Sequence, residues 1–316
     1  MIDQIVSFLR WLINRWPKAS AIEFAWRGGN WIISRLGVRI VGQTVWGGKF
    51  SCDPRDIIQN RILYFGIWEP TITRYLLTLE LEGQAVLDIG ANVGYYTILC
   101  AKLVGDKGKV YAVEPMPRIL DLLRHNIQTN HLGNVVVLDR CVSTVSGLQE
   151  MYYGPTYNLG KSSEHSFRAS SEKVLVKAVT FRELLAPADL KRIRLVKIDV
   201  EGAELPILQE ILRHYDELDP QVSFLVELSW NGDETEESIQ RITQSFLAKG
   251  YYIYRLKNSY DLLSYAIDHG SVALIPETMD QIPREDIDLF VTRIEPETLA
   301  RELNKDLPFG RIASSE

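Results

Sequence analysis

The chain has 316 residues, with 35 basic and 41 acidic side chains and a formal charge of −6. Hydrophobic residues make up 46% of it and charged residues 24%, a globular composition that excludes disordered, collagen-like and coiled-coil proteins. A chain of this length can bury a large core, as one large domain or two small ones.

The first 50 residues differ in composition from the rest of the chain. They hold seven basic and two acidic side chains and five of the seven tryptophans, so their formal charge is +5 against −11 for the remainder. We predict that residues 1–82 form an N-terminal extension, a helical cap with short strands. A helix is expected to end at Pro17, Gly28 and Gly29 are expected to break a second helix, and a turn is expected at Gly66.

The cysteines and the hydropathy pattern restrict the location of the protein. Cys52, Cys100 and Cys141 are odd in number and far apart, which argues against a disulfide scaffold or a cysteine zinc site. The longest stretch without a charged side chain has 13 residues, too few for a transmembrane helix, and the N-terminus does not resemble a signal peptide. We therefore expect a cytoplasmic protein.

From Gln84 onwards, short apolar strands alternate with amphipathic helices. This pattern predicts an α/β fold with a doubly wound, mostly parallel sheet of seven strands over residues 83–294, followed by a tail, 295–316. An inserted hairpin is expected near Leu148–Tyr153 and Val174–Val179. The expected sheet strands are Ala85–Ile89, Lys109–Val113, Val135–Leu138, Arg194–Ile198, Val222–Val226, Tyr251–Leu256 and Asp288–Thr292.

Ligands of such sheets bind beyond the carboxyl ends of the strands, so the residues after each strand are the candidate site. The first strand leads into Asp88–Gly94, with the spacing D-x-G-x-N-x-G. Asn92 stands where the dinucleotide pattern G-x-G-x-x-G requires its second glycine. Asp88 suits a ligand with an amino group, and S-adenosylmethionine has such a group and no phosphate.

Acidic side chains also follow later strands. Glu114, after the second strand, is placed to accept hydrogen bonds from both ribose hydroxyls of a nucleoside. The segment Asp139–Ser143 is expected to flank the adenine. Asp199 and Glu201 follow the fourth strand, where they could instead cap the next helix, and Glu227 ends the fifth.

The catalytic candidates are Asp199, Glu227 and His165, the last in a polar insertion that could also be an exposed loop. An alcohol acceptor needs a base to remove its proton, whereas a carboxylate acceptor does not. No single base stands out, so both acceptor classes stay open. No metal site is predicted, although Mg²⁺ held by Asp199, Glu201 and Glu227 is conceivable.

Three segments closely resemble the FkbM-type methyltransferase family: Val86–Thr97, Val113–Pro115 and Leu195–Glu204, with Phe65–Thr71 upstream. The resemblance implies a class I (Rossmann-like) methyltransferase fold with S-adenosylmethionine as the cofactor. It implies acceptors such as hydroxyls of macrolides and glycans, or carboxyl termini of cyanobactin-type peptides. The expected cofactor-binding residues are Glu69, Asp88, Gly90, Ala91, Asn92, Gly94, Tyr95, Thr97, Glu114, Pro115, Cys141, Val142, Ser143 and Asp199.

The predicted function is S-adenosylmethionine-dependent O-methylation of a hydroxyl or carboxylate on a small natural product or peptide. The alternatives are a nicotinamide-dependent oxidoreductase and a non-catalytic module that retains the cofactor site. Nucleic acid is not expected as a partner, and a homodimer is possible. The tryptophan-rich start could be a cap or acceptor wall, a dimer contact or, less favoured, a membrane-surface segment.

Overall fold

The alternating pattern forms one central sheet covered by helices on both faces. The structure, a computed structural model, describes residues 8, 10, 19–35, 37–155, 157, 158, 160, 162, 172–228, 233–256, 265, 274–276 and 287–303. The strands are β1 (Ile40–Gln43), β2 (Lys49–Cys52), β3 (Ala85–Ile89), β4 (Lys109–Val113), β5 (Val135–Leu138), β6 (Cys141–Val142), β7 (Gly147–Tyr152), β8 (Lys173–Val179), β9 (Ile193–Ile198), β10 (Ser223–Leu228), β11 (Tyr252–Leu256), β12 (Leu274–Pro276) and β13 (Ile287–Thr292).

Ten α-helices lie in the described part of the chain. They are α1 (Ala19–Ser34), α2 (Ile57–Phe65), α3 (Pro70–Thr78), α4 (Tyr95–Val104), α5 (Pro117–Thr129), α6 (Phe181–Leu184), α7 (Pro187–Leu190), α8 (Glu204–Arg213), α9 (Asp233–Ala248) and α10 (Pro296–Leu303). Three short ones, α6, α7 and α10, were not predicted. No helix in the described ranges is long and apolar enough to cross a bilayer.

The central sheet has the strand order β12-β11-β13-β10-β9-β3-β4-β5. Strands β3, β4, β5, β9 and β10 are parallel, and β13 is antiparallel to both of its neighbours. The chain fills one side of β3 with β4 and β5 and then crosses to the other side with β9. The strand order therefore reverses between β3 and β9, which is where such sheets bind ligands. This arrangement confirms the predicted doubly wound fold.

One edge strand and one helix differ from the expectation. The sequence analysis missed β12, which has three residues, lies at the sheet edge and ends in Pro276, a residue tolerated at edges. The expected break at Gly28 and Gly29 was wrong, because α1 runs through both glycines. Glycine costs a helix about 1 kcal/mol. Hydrogen bonds from Asn60 to Asn30 and from Trp26 to Asn60 fix the helix on both sides of the pair.

The N-terminal extension packs on one face of the sheet. Side chains alternate along each strand, so Val86, Leu195 and Leu225 face one hydrophobic core, which also contains Trp46 and Phe50. The opposite face packs against α8 and α9 in a second core. The predicted boundary between residues 82 and 83 therefore runs through one continuous core. The expected turn at Gly66 is confirmed, with φ 71° and an N–H that donates to the Ile62 carbonyl.

Both chain ends lie largely outside the described residues. The helix expected before Pro17 falls there, apart from residues 8 and 10. Of the predicted tail, the structure describes residues 295–303.

Candidate active site

A cavity of about 700 Å³ opens at the carboxyl edge of the central sheet. Parallel strands end at the same edge, so loops that are distant in sequence meet there. Nine of the predicted site residues line the cavity: Glu69, Gly90, Asn92, Glu114, Pro115, Cys141, Val142, Asp199 and Glu227. The structure thus brings together residues that follow β3, β4 and β9 and one residue, Glu227, near the end of β10.

The glycine loop after β3 is fixed to both neighbouring strands. The N–H groups of Gly90 and Ala91 donate to the Val113 carbonyl at 3.0 and 2.9 Å. Gly90 has φ 86°, and a Cβ there would overlap the backbone oxygen of Asp199. Only glycine combines this conformation with this approach, so the residue is explained by the packing of the loop against β9.

Glu114 closes the loop from the side of β4. Its Oε2 accepts from the Asn92 N–H and its Oε1 from the Met116 N–H, both at 2.9 Å. Burial raises the pKa of Glu114 to about 7, although both backbone bonds oppose the shift. Each carboxylate oxygen can accept a further hydrogen bond. Glu114 can therefore receive ribose hydroxyls, the role expected from its place in the sequence.

Four carboxylates, those of Glu69, Asp199, Glu227 and Asp288, meet at the other end of the cavity. Glu227 and Asp288 are directly paired across β10 and β13. The negative charge of Asp199, followed by burial and the charges of Glu69 and Asp288, raises the pKa of Glu227 to about 11. These surroundings favour the protonated form of Glu227, while Asp199 lies in an ion pair with Lys197 at 3.0 Å.

Backbone strain is concentrated around the cavity. Of the four non-glycine residues with positive φ in the described part of the chain, Glu69, Asn92 and Glu201 line the cavity. Such conformations cost of order 1–3 kcal/mol each and persist where the surroundings enforce them. The strain agrees with a functional role for this edge of the sheet.

Six predicted cofactor residues do not line the cavity: Asp88, Ala91, Gly94, Tyr95, Thr97 and Ser143. Asp88 is 1% exposed, because side chains alternate along β3 and that of Asp88 lies on the face covered by α4. Its Oδ2 accepts a hydrogen bond from the Thr97 hydroxyl at 2.6 Å. Burial raises its pKa, and Lys197 opposes that shift. The Tyr95 hydroxyl bonds to Trp46 and Thr73 on the side of the extension.

Gly94 and Ser143 make contacts within the protein that support the local structure. Gly94 precedes α4 in the left-handed region, φ 91°, and packs against Leu123. The Ser143 N–H donates to the Val179 carbonyl in the small sheet β6-β8-β7. These six residues can therefore support the cavity wall without touching a ligand in it.

Two further expectations concern His165 and a metal. His165 lies outside the described residues. No group of three or more acidic, histidine or cysteine side chains within the described ranges is arranged to hold a metal ion. Cys52, Cys100 and Cys141 are buried, and no disulfide joins any of them.

The structure adds wall residues that sequence reasoning missed, including Trp68, Met116, Met151, Arg255 and Asp288. Arg255 is the next-to-last residue of β11, whereas Asp288 is the second residue of the antiparallel strand β13. The start of an antiparallel strand lies at the same edge as the ends of its parallel neighbours, and this signal could have located Asp288. The signal for Met151 is weaker, because it depends on how the hairpin folds over the site.

The sequence profile described as Methyltransferase FkbM domain matches residues 88–253, more than half of the chain. The chain belongs to the FkbM methyltransferase family. The membership confirms the predicted family and, at the level of that family, the enzyme class and the cofactor, S-adenosylmethionine.

Individual methyltransferases show more limited similarity. Hexuronic acid methyltransferase AglP of Haloferax volcanii is 29% identical over 142 residues, which cover 45% of this chain and 55% of AglP. A protein-L-isoaspartate O-methyltransferase of Methanococcoides burtonii is 42% identical over 57 residues, 18% of this chain and 28% of the relative. The chain thus spans about half the length, or less, of these relatives. A solved rRNA-methylase, described as putative, from Clostridium thermocellum has 12% identity and a TM-score of 0.44, covering 72% of this chain and 95% of its own.

The cavity suits S-adenosylmethionine in size and charge. Its volume lies within the range of about 300–1,000 Å³ typical of small-molecule sites. The molecule has a sulfonium and an ammonium against one carboxylate, so it is cationic overall. Among the described wall residues, Arg255 is the one basic side chain, against six acidic ones: Glu69, Glu114, Asp199, Glu201, Glu227 and Asp288.

Proposed function

We propose that the protein transfers a methyl group from S-adenosylmethionine to an oxygen of a small molecule or peptide, either a hydroxyl or a carboxylate. The observation that supports this most directly is the meeting of a nucleoside-binding set and a carboxylate pair in one cavity. Gly90, Asn92 and Glu114 form the first, and Asp199 and Glu227 the second. The naming of AglP as a hexuronic acid methyltransferase favours a sugar acid among the candidate acceptors.

The bound donor supplies a methyl group on a positively charged sulfur, which is already a strong electrophile. The main task of the protein is then to align the acceptor oxygen with that methyl group. Holding two reactants in line can contribute about 7–11 kcal/mol to lowering the barrier. Trp68, Met116, Ile119 and Met151 give the wall an apolar part that excludes water and can position an acceptor.

For a hydroxyl acceptor, the proton must leave as the carbon–oxygen bond forms. Asp199 and Glu227 both face the cavity, and their proximity raises the pKa of Glu227 to about 11. A cationic donor beside the pair would lower that pKa, because a positive charge stabilises the ionised carboxylate. Glu227 would then become able to accept the proton of the hydroxyl. For a carboxylate acceptor, no such transfer is needed.

The test is methyl transfer by the purified full-length chain. The protein would be incubated with donor labelled in its methyl group and with glucuronic acid, galacturonic acid, glucose, galactose and short peptides. We expect a mass increase of one methyl group in at least one acceptor. Mild alkali would remove the label from a methyl ester but not from a methyl ether, which separates the two acceptor classes. Donor binding without labelling of any oxygen acceptor would argue against the proposal.

Glu227→Gln distinguishes the roles of the carboxylates. With a hydroxyl acceptor, kcat should fall by about 10²–10⁴-fold, because the base is lost. Donor affinity, measured by calorimetry, should change only a few-fold. With a carboxylate acceptor, kcat should stay near the unmodified value. Glu210→Gln, which alters a buried acid on α8 outside the cavity, is the matched control. An equal loss in both variants would contradict a catalytic role for Glu227.

The proposal also covers the two alternative functions, the location of the protein and nucleic acid as a partner. Asn92 occupies the place of a required glycine in dinucleotide sites, which disfavours the oxidoreductase alternative. Turnover with any acceptor would eliminate a non-catalytic module. We propose that the protein is cytoplasmic, a compartment in which its three cysteines, none of them in a disulfide, stay reduced. Nucleic acid is not proposed as an acceptor, because the cavity wall is acidic.

A further inference from the structure

Lys197 is a buried charged residue that lies behind the cavity and has no role in the mechanism above. It belongs to β9, two residues before Asp199, and its side chain is 7% exposed. In the sheet it is directly paired with Asp88 of β3 and with Leu225 of β10. Lys197 therefore lies in the middle of the sheet, on the strand β9 where the strand order reverses, and behind the residues that line the cavity.

The surroundings of Lys197 consist of acids and one tyrosine. Its Nζ donates to Asp199 Oδ2 at 3.0 Å and lies 4.8 Å from the centre of the Tyr96 ring. Burial alone would lower the pKa of Lys197, but the charges of Asp199, Asp88 and Glu69 raise it overall. The charges of these three carboxylates thus favour the charged form of the ammonium group.

Tyr96 connects the same position to a second wall residue. It is the second residue of α4, 5% exposed, and its hydroxyl donates a short hydrogen bond to Glu69 Oε2. Burial, followed by the charge of Glu69, raises the pKa of Tyr96, so the hydroxyl keeps the proton that it donates. Glu69 itself has a strained backbone, φ 42°, and needs such support to stay in place.

From this geometry we propose that Lys197 and Tyr96 form a positioning pair, which holds the carboxylates of Asp199 and Glu69 in place at the cavity. Neither member of the pair lines the main cavity, whereas both acids do. Lys197 holds Asp199 through an ion pair, and its ammonium group lies over the ring of Tyr96. The Tyr96 hydroxyl holds Glu69 through a hydrogen bond. The two acids come from β9 and from the start of α3, and the pair is the contact that couples them. The inference rests on the proposed function, since the acids matter through the donor and acceptor that they meet.

The experiment measures donor affinity, which does not depend on knowing the acceptor. Calorimetry with S-adenosylmethionine would be run on Lys197→Met, Lys197→Arg, Tyr96→Phe and the double variant Lys197→Met/Tyr96→Phe. We expect affinity to fall about 10- to 100-fold in Lys197→Met and about 3- to 10-fold in Tyr96→Phe. Lys197→Arg should recover part of the loss, because it restores the charge. The double variant should lose less than the product of the two single effects, because the residues act as one unit.

Two control variants separate positioning from general destabilisation. Lys109→Met removes a lysine at the start of β4, which is separated from β9 by β3. Tyr251→Phe removes a buried tyrosine hydroxyl that bonds to Tyr215 and to the Val222 carbonyl, away from the cavity. Both should bind the donor like the unmodified protein. Chemical denaturation of every variant would identify those that unfold, and Tyr96→Phe alone still tests the pair if Lys197→Met does not fold.

The inference fails if folded Lys197→Met and Tyr96→Phe bind the donor normally, or if their effects simply multiply. It also fails if the control variants lose affinity to the same degree. These outcomes are distinct from failure of the proposed function, in which the unmodified protein binds the donor but methylates no oxygen acceptor.

Discussion

At the scale of single residues, the burial of Glu114 leads us to predict that donor binding depends on pH. Its pKa of about 7 in the folded protein is above the ordinary value, so the protonated form is favoured by folding. The resulting contribution to stability is present at acidic pH and disappears as the pH rises through about 7. Above that pH the carboxylate is ionised and becomes a stronger acceptor for ribose hydroxyls.

We therefore predict that adenosine, which has the ribose but no charged tail, binds about 3- to 10-fold more tightly at pH 8 than at pH 6. Calorimetry at several pH values would measure the change. In Glu114→Gln the affinity should be lower and nearly independent of pH, because the amide does not titrate. The same pH dependence in both proteins would show that another group is responsible.

At the scale of elements, the hairpin β1–β2 fastens the extension to α4. The Trp46 indole N–H donates to the Tyr95 hydroxyl at 3.0 Å, and its ring makes edge contacts with Phe50 and Tyr95. Trp46 is 6% exposed. Because this contact lies inside the first core, the extension and the sheet should unfold together.

Trp46→Ala should lower the free energy of unfolding by about 3–5 kcal/mol, as expected for loss of a large buried aromatic side chain. Urea titration followed by fluorescence and by circular dichroism would give the value. Trp31→Ala, at a position 58% exposed, should cost less than about 1 kcal/mol. Two separate transitions in the unmodified protein would contradict a shared core.

At the scale of the whole molecule, we predict different tasks for the basic start and the acidic body. Glu114, Asp199 and Glu227 come from the acidic body, whereas Ile57 and Ile58 line the cavity from α2. Helix α1 packs on α2 through Trp26, Asn30 and Asn60. The extension therefore contributes to the cavity wall through α2, where Ile58 and Asn92 of the glycine loop both approach Gly160. An acceptor role for residues 1–35, whose helix α1 packs on α2, stays a prediction.

Deletion of residues 1–35 should reduce turnover strongly and leave donor affinity within a few-fold of the full-length value. Calorimetry for the donor and methyl transfer for the acceptor would be measured separately, at a temperature where the shortened chain is folded. Removal of Ile33, which is fully buried, should lower stability, so a melting curve is needed as a control. Unchanged turnover, or loss of donor binding by a folded protein, would contradict an acceptor role for this segment.

Local signals were sufficient to predict much of the sheet. Strands β3, β4 and β5 begin and end where their apolar runs and flanking glycines or polar residues place them. Gly90 and Glu114 were found because position relative to a strand end is itself a sequence signal. The break expected at Gly28 and Gly29 was wrong, because hydrogen bonds to Asn60, distant in sequence, outweigh the low helix propensity of glycine.

The sequence by itself determined the strand–helix alternation, the glycine loop and the acids at the strand ends, because these depend on neighbours within a few residues. Only the tertiary structure decided which of those acids face the cavity. Asp88 and Asp199 both lie at strand ends, but the alternation of the pleat buries Asp88 under α4, whereas Asp199 reaches the cavity. Lys197, Tyr96 and Glu69 come from three distant segments, and their proximity depends on how the extension packs on the sheet.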